Sequence, residues 1–413
     1  MNNKLLVLIC IYAFSLWAVN EPIKPKGDGT ETDPYLFERY ENFFWLSENS
    51  DNFEANSIIY CKQIGDIDAT DTQRGYDQEK DINYGWRPVI TYNQKGSFVL
   101  NYDGQGYSII NPYYGYEIKL YPHGVFSYGI FQLKNIVVKN MHLKGAAYYG
   151  SGVLVGTIVS NSGKNSSVEN CFTTGIINLD AFPGSYNGGL IGTALIETNS
   201  FLKIINCGSE AFIDSLLYSG GLISHVDCSG GLYIDKCWAK SDLVYDDGDS
   251  GYAGGFIGYL VSNNAEINIQ NSYSLVKIVK GGNNPQACGF ISAVNNRNAL
   301  SKINISRCYS SGSVDGGNGF RKAFIGVFST NDYLFISDCF FNASLTKADD
   351  NFAIGKTEEE MKVSSTFKNW DFENVWDIDE GESFPYLISQ LPEPSFVALI
   401  VLAALVYINK KIM

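Results

Sequence analysis

The sequence predicts an all-β fold: a β-solenoid, parallel β-helix-like, built from repeats of about 34 residues with caps at its N- and C-terminal ends. Three observations predict it. The first is a glycine-led apolar block that recurs as Gly152-Val153-Leu154-Val155-Gly156, Gly188-Gly189-Leu190-Ile191-Gly192, Gly220-Gly221-Leu222-Ile223-Ser224 and Gly254-Gly255-Phe256-Ile257-Gly258. Weaker copies follow at Cys288-Gly289-Phe290-Ile291-Ser292 and Ala323-Phe324-Ile325-Gly326. With Gly152, Gly189, Gly221, Gly255, Gly289 and Ala323 as the register, the steps are 37, 32, 34, 34 and 34 residues. The second is a block that trails each of these and ends on Cys171, Cys207, Cys237, Ser272, Cys308 or Cys339, as in Val168-Glu169-Asn170-Cys171-Phe172 and Ile305-Ser306-Arg307-Cys308-Tyr309. The third is composition: 41 Gly, 27 Tyr and 25 Phe against 11 Pro, with 18% charged residues, favour short strands joined by glycine turns and exclude collagen, coiled coils and disorder. A 34-residue period also suits tetratricopeptide helices, but Val, Ile, Tyr, Phe, Asn and Gly dominate here and few windows keep a 3.6 period.

Taken in order, Met1-Asn2-Asn3-Lys4 followed by the apolar run Leu5 to Ala18 reads as a secretory signal peptide over residues 1–18; a retained anchor is the alternative. Residues 21–149 read as a β-rich N-terminal cap with the first coils, and residues 150–345 as the repeat solenoid. Each coil is a glycine turn, a short apolar strand, a polar loop and an alternating strand that carries the Cys or Ser. Glycine pairs are expected at corners, where φ turns positive or backbones approach closely. Residues 346–390 read as an aromatic cap, with a short helix at Lys356 to Met361 capped by Thr357 and Glu360, then Trp370, Phe372, Trp376 and Phe384. Residues 391–413 are a tail: Pro392-Glu393-Pro394, thirteen apolar residues from Phe396 to Ile408, then Lys410 and Lys411. That run spans about 20 Å as a helix, marginal for a bilayer.

The chemistry is sparse. The charge of −14 (30 basic against 44 acidic residues) argues against nucleic acid as a partner. The cysteines at one repeat position, where Ser272 substitutes once, read as an inward column of small groups, with disulfides between stacked neighbours as the alternative. No Cys-x-x-Cys pair suggests a metal. His123, His142 and His225 form no zinc-peptidase pair, and no nucleophile elbow occurs. Asp246-Asp247-Gly248-Asp249 and the Asp66, Asp68, Asp71 group read as solvated turns rather than calcium loops. Tyr113, Tyr114, Tyr116, Tyr148 and Tyr149 read as core filling, or as a surface on which sugars stack. The Asn-x-Ser sites at Asn165, Asn304 and Asn342 carry little weight. No catalytic, cofactor-binding or metal-binding residue is assigned, and no cofactor is expected.

The two recurring blocks resemble the GLUG-motif repeat of large bacterial surface proteins, in six copies over about residues 150–345. Gly27-Asp28-Gly29-Thr30, Asp33-Pro34-Tyr35-Leu36 and Trp86-Arg87-Pro88-Val89 resemble the opening of such domains. The tail resembles the PEP-CTERM sorting signal of Gram-negative bacteria, which implies membrane contact only through the tail, processing by an exosortase-type enzyme and a place in the cell envelope. Together these imply a secreted, surface- or matrix-associated, non-catalytic repeat protein, an adhesin or a structural part of an envelope or biofilm. Its partners would be a glycan, an exopolysaccharide or a host surface, met through loops such as 178–187 and 242–253. A polysaccharide lyase or glycoside hydrolase on a β-helix is the alternative.

Overall fold

Apolar side chains recur wherever a repeat faces inward, and the backbone follows them as four strands per coil. The computed structural model describes residues 21–390 except 75, 78–81, 84, 116–121, 146–149, 180–184, 216–217, 246–250, 281–285, 299, 315–320, 328–332, 347–349 and 351. One coil runs through Gly150–Gly152, Val155–Ser160, Ser166–Glu169 and Phe172–Leu179. Each strand pairs in parallel with its counterpart one coil on: Gly152 with Gly188, Val155 with Ile191, Val168 with Ile204, Phe172 with Gly208. The expected β-solenoid of about 34-residue repeats is therefore the fold. The signal segment, the tail and the Asp246 to Asp249 loop lie outside the described residues. Among the described residues no helix is long and apolar enough to cross a membrane.

The ladder also runs through the upstream residues. Tyr35 pairs with Cys61, Cys61 with Tyr102, Tyr102 with Leu133 and Leu133 with Val168. From there the column continues through Ile204, Ile234, Ile269 and Ile305, all buried. Burial of each such side chain is worth about 1.5–3 kcal/mol, and no coil could supply it alone. In a second column Phe256, Phe290 and Phe324 stack with ring centroids 4.6 and 4.8 Å apart, close to the strand spacing. At the N-terminal end the helix Tyr40–Glu48 inserts Phe43 among Phe37, Trp86, Tyr102 and Phe126.

One expectation is corrected, and of the two reasons given for the glycines one holds. Pairing sets Gly152 against Gly188, not Gly189, so the first step is one residue shorter than the glycine alignment suggests. None of the paired repeat glycines has positive φ; close approach is what demands them. A Cβ on Gly220 would strike the carbonyl oxygen of Ile223, and one on Gly221 would strike that of Gly255 in the next coil. The left-handed corner lies elsewhere, on the residue before each Cys or Ser (Asn170, Asn206, Lys236, Asn271, Arg307 and Asp338) and on Asn135 before Ile136 one coil earlier; all have φ between 47° and 55°. The second block is thus two strands flanking a one-residue corner, a conformation that Asn tolerates best. The corner amides form their own ladder: Asn170 Nδ2 donates to Asn135 Oδ1 (3.0 Å) and Asn206 Nδ2 to Asn170 Oδ1 (2.8 Å).

The cysteine position is an inward ladder. All eight described cysteines are free and buried, so the disulfide alternative is not taken up. Each ladder thiol donates to the carbonyl two residues back, as Cys207 Sγ does to Ile205 O (3.2 Å), and Ser272 Oγ donates to Gln270 O (2.7 Å) in the same way. That shared bond explains why Ser and Cys alternate there.

The chain divides into two compact units, the second starting at Lys356. Taken by itself, the second holds the expected capping box: Glu360 N–H donates to Thr357 Oγ1 (3.2 Å) and Thr357 N–H to Glu360 Oε2 (2.9 Å). The helix is shorter than expected, a 3₁₀ turn over Glu360–Lys362. Trp370 packs on Trp376 at 4.4 Å, and Trp376–Asp377 pairs antiparallel with Tyr386–Leu387.

Candidate binding cleft

One position of the second strand of each coil faces outward and does not repeat. In register it reads Ile90, Tyr128, Thr157, Thr193, His225, Tyr259 and Ala293. The small threonines between larger neighbours leave a depression. It deepens into a cleft of about 750 Å³, walled by Tyr92, Tyr128, Pro122, Leu195, Tyr186 and His225, with Ser50 and Asp51 contributed by the N-terminal loops. That volume falls in the range of small-ligand sites, as does a mostly apolar lining with a few polar groups.

The cleft opens onto a band of half-buried rings. Tyr186, Tyr218 and Tyr252 are register partners in the first strands of successive coils. Tyr186 stacks on His225 at 4.4 Å and 17°, His225 on Tyr259 at 5.6 Å and 15°, and Tyr252 on Tyr259 at 4.9 Å and 11°. Burial raises the phenols of Tyr186, Tyr218 and Tyr252, so they stay neutral. Burial, with Arg297 adding repulsion, lowers His225 to about 4, so its ring is neutral at pH 7. The Thr157 and Thr193 hydroxyls and His225 Nδ1 are buried and have no partner among the described residues.

Few of the residues singled out in the sequence meet here. Of the three histidines, His225 alone lines the cleft. His123 is buried against the Tyr114 ring at 4.2 Å, and His142 lies edge-on to Tyr113 at 5.2 Å, its pKa lowered by burial and Lys144. Of the tyrosines singled out, Tyr114 is buried, as core filling expects, and Tyr113 is half-buried; Tyr116, Tyr148 and Tyr149 lie outside the described residues. Asp68 Oδ1 accepts from Thr70 N–H (2.9 Å) within its own turn, whereas Asp66 Oδ1 accepts from Ser108 N–H (2.7 Å), 42 residues on. Among the described residues no group of three His, Cys, Asp or Glu could hold a metal. The loops 178–187 and 242–253 are described only in part. The cleft itself was missed, although a signal was present: Tyr stands two residues before the paired glycine in Tyr186, Tyr218 and Tyr252.

Among the described residues the lining offers one carboxylate, Asp51, and no Lys or Arg. Ser50 and His225 share the cleft, but Ser50 Oγ donates to Ser47 O (3.2 Å) and no acid orients His225 Nδ1, so no nucleophile–base–acid relay is assembled among the described residues. A neighbouring depression of about 470 Å³ shares Leu195 and is lined by Glu197 and Asp227, the latter 3.6 Å from Arg297.

No family model and no curated protein matches the sequence. A solved structure from Bacteroides ovatus, described as a candidate immunoglobulin A1 protease, matches with a TM-score of 0.53 at 16% identity, over 88% of this chain and 95% of that one. At that identity the likeness is one of fold.

Proposed function

We propose that this chain is a secreted, surface- or matrix-associated repeat protein that works by binding rather than catalysis, in adhesion or as a structural component of an envelope or biofilm. The observation that carries the reading is the cleft: an aromatic-walled groove in a parallel scaffold, with one carboxylate and no assembled relay among its described residues. Glycoside hydrolysis uses a pair of carboxylates across the bond, and the described lining of the cleft offers a single one. The GLUG-like blocks and the export-like ends support a place outside the cytoplasm, with the tail processed by an exosortase-type enzyme. The protease name of the Bacteroides structure is that protein's own.

One observation favours the alternative of a polysaccharide-active enzyme: Glu197 and Asp227 line the depression beside the cleft. The test is to incubate the purified chain with neutral and acidic glycans and follow both binding and chain length. Binding without shortening is the expected result. Shortening that disappears in Glu197→Gln or Asp227→Asn would overturn the binding reading.

A further inference from the structure

We infer that the cleft takes an uncharged oligosaccharide, held against the Tyr186 and Tyr128 side of the groove and hydrogen-bonded by the Thr157 and Thr193 hydroxyls. This rests on the binding reading above and names the ligand class of that site.

The argument starts from two hydroxyls that ought to have partners. Thr157 and Thr193 are only 3% and 6% exposed, and neither Oγ1 finds a partner among the described residues. Leaving a buried polar group unpaired costs about 1–3 kcal/mol, and native proteins seldom tolerate it without a reason. In the second strands of later coils Ser224 Oγ donates to Tyr218 O (3.0 Å) and Ser292 Oγ to Gln286 O (2.8 Å); Ser151, Ser209 and Ser219 are also buried without a partner among the described residues, but they are not among the described residues that line the cleft. The two threonines are adjacent in register and lie on the floor of the cleft. Gly150 keeps the space beside Thr193 Oγ1 open, since a Cβ there would sit 2.5 Å from it.

The ligand class follows from what surrounds them. With no Lys or Arg among the described lining residues, Asp51 at hand, a chain charge of −14 and Arg297 beside the cleft already paired with Asp227 (3.6 Å), the described surface favours an uncharged ligand over an anionic glycan or phosphate. A peptide strand would need an open sheet edge, but Thr157 and Thr193 sit in strands paired on both sides. A neutral sugar meets both demands. Its hydroxyls donate and accept, as do those of threonine, and its C–H faces cover the phenol rings. The two threonines are one strand spacing apart, about 4.8 Å, comparable to the length of a single sugar ring.

The test uses the full chain and isothermal titration with cellohexaose, laminarihexaose, maltohexaose and mannohexaose, against alginate and polygalacturonate oligomers and a hexapeptide. At least one neutral oligosaccharide should bind. The double substitution Thr157→Val with Thr193→Val should weaken it roughly tenfold or more while leaving the thermal midpoint unchanged or higher, because valine removes both unpaired hydroxyls. The double serine variant, which keeps the hydroxyls, should bind within about threefold of the parent. Tyr186→Ala is a second, independent variant that should also weaken binding. Binding confined to the acidic oligomers or the peptide, no binding at all, or a valine variant that binds like the parent would each overturn the inference. Shortening of a bound neutral glycan would instead overturn the non-catalytic reading and leave the ligand class standing.

Discussion

The thiol ladder and the cleft column pass through the same coils at two different positions, and they follow opposite rules. On the ladder, Cys171, Cys207, Cys237, Ser272, Cys308 and Cys339 repeat one size and one hydrogen bond, and every group is satisfied. On the outward column, Tyr128, Thr157, Thr193, His225 and Tyr259 change from coil to coil, and three polar atoms have no partner among the described residues. Repetition marks where coils hold each other. Its failure marks where the molecule faces something else.

Substitutions can break or sharpen that contrast. The largest effect is expected at the close-approach glycines: Gly220→Val should abolish folding, a loss above about 4 kcal/mol, because the new side chain strikes the Ile223 carbonyl. Gly65→Ala, where nothing lies within 4 Å, should unfold at a urea midpoint near that of the parent. Next, Ile234→Ala on the inner column should cost about 2–5 kcal/mol by urea unfolding, with the spread set by how far the coil collapses. A parent-like midpoint there would show that the column is not the core.

On the cleft column the effect should depend on pH. His225 falls from 6.5 to about 4 on folding, so the unfolded chain binds the extra proton between those values. The neutral ring's contribution is fully present above pH 6.5 and is lost as pH falls towards 4, on the order of 2–3 kcal/mol. His225→Phe should flatten that part of the stability curve, and an unchanged slope between pH 6.5 and 4.5 would remove His225 as its source. The smallest effect belongs to the ladder: Cys207→Ser should change stability by less than about 1 kcal/mol, since Ser272 already makes the same bond. Burial pushes the thiols up, Cys228 to about 12 and Cys171, Cys207 and Cys308 further. A thiol reagent should therefore label the folded chain slowly and the unfolded chain fully.

The same contrast explains what could be read from the sequence. The period, the apolar blocks and the Cys/Ser position were legible because a stacking column writes its rule into every repeat. The left-handed corner was half legible: Asn stands before Cys171, Cys207 and Ser272, but Lys236, Arg307 and Asp338 fill it elsewhere, so the conformation hid behind a mixed residue set. The cleft was legible only through the tyrosine that recurs before the paired glycine, at Tyr186, Tyr218 and Tyr252. The other walls, Asp51, Tyr92, Tyr128 and His225, are far apart in sequence and follow no period. The tyrosines conspicuous in sequence, around Tyr113 and Tyr114, are conspicuous only because they are neighbours in the chain.

The in-register ladder from Leu133 to Ile305 has a genetic consequence. Each coil offers the next the same hydrogen-bonding rim that it received, so an in-frame duplication of one unit, such as residues 220–253, would meet complementary backbone on both sides. Length is then a trait that can drift by whole coils, each adding about 4.8 Å, while the non-repeating stretch around Thr157 and Thr193 is inherited as a single copy.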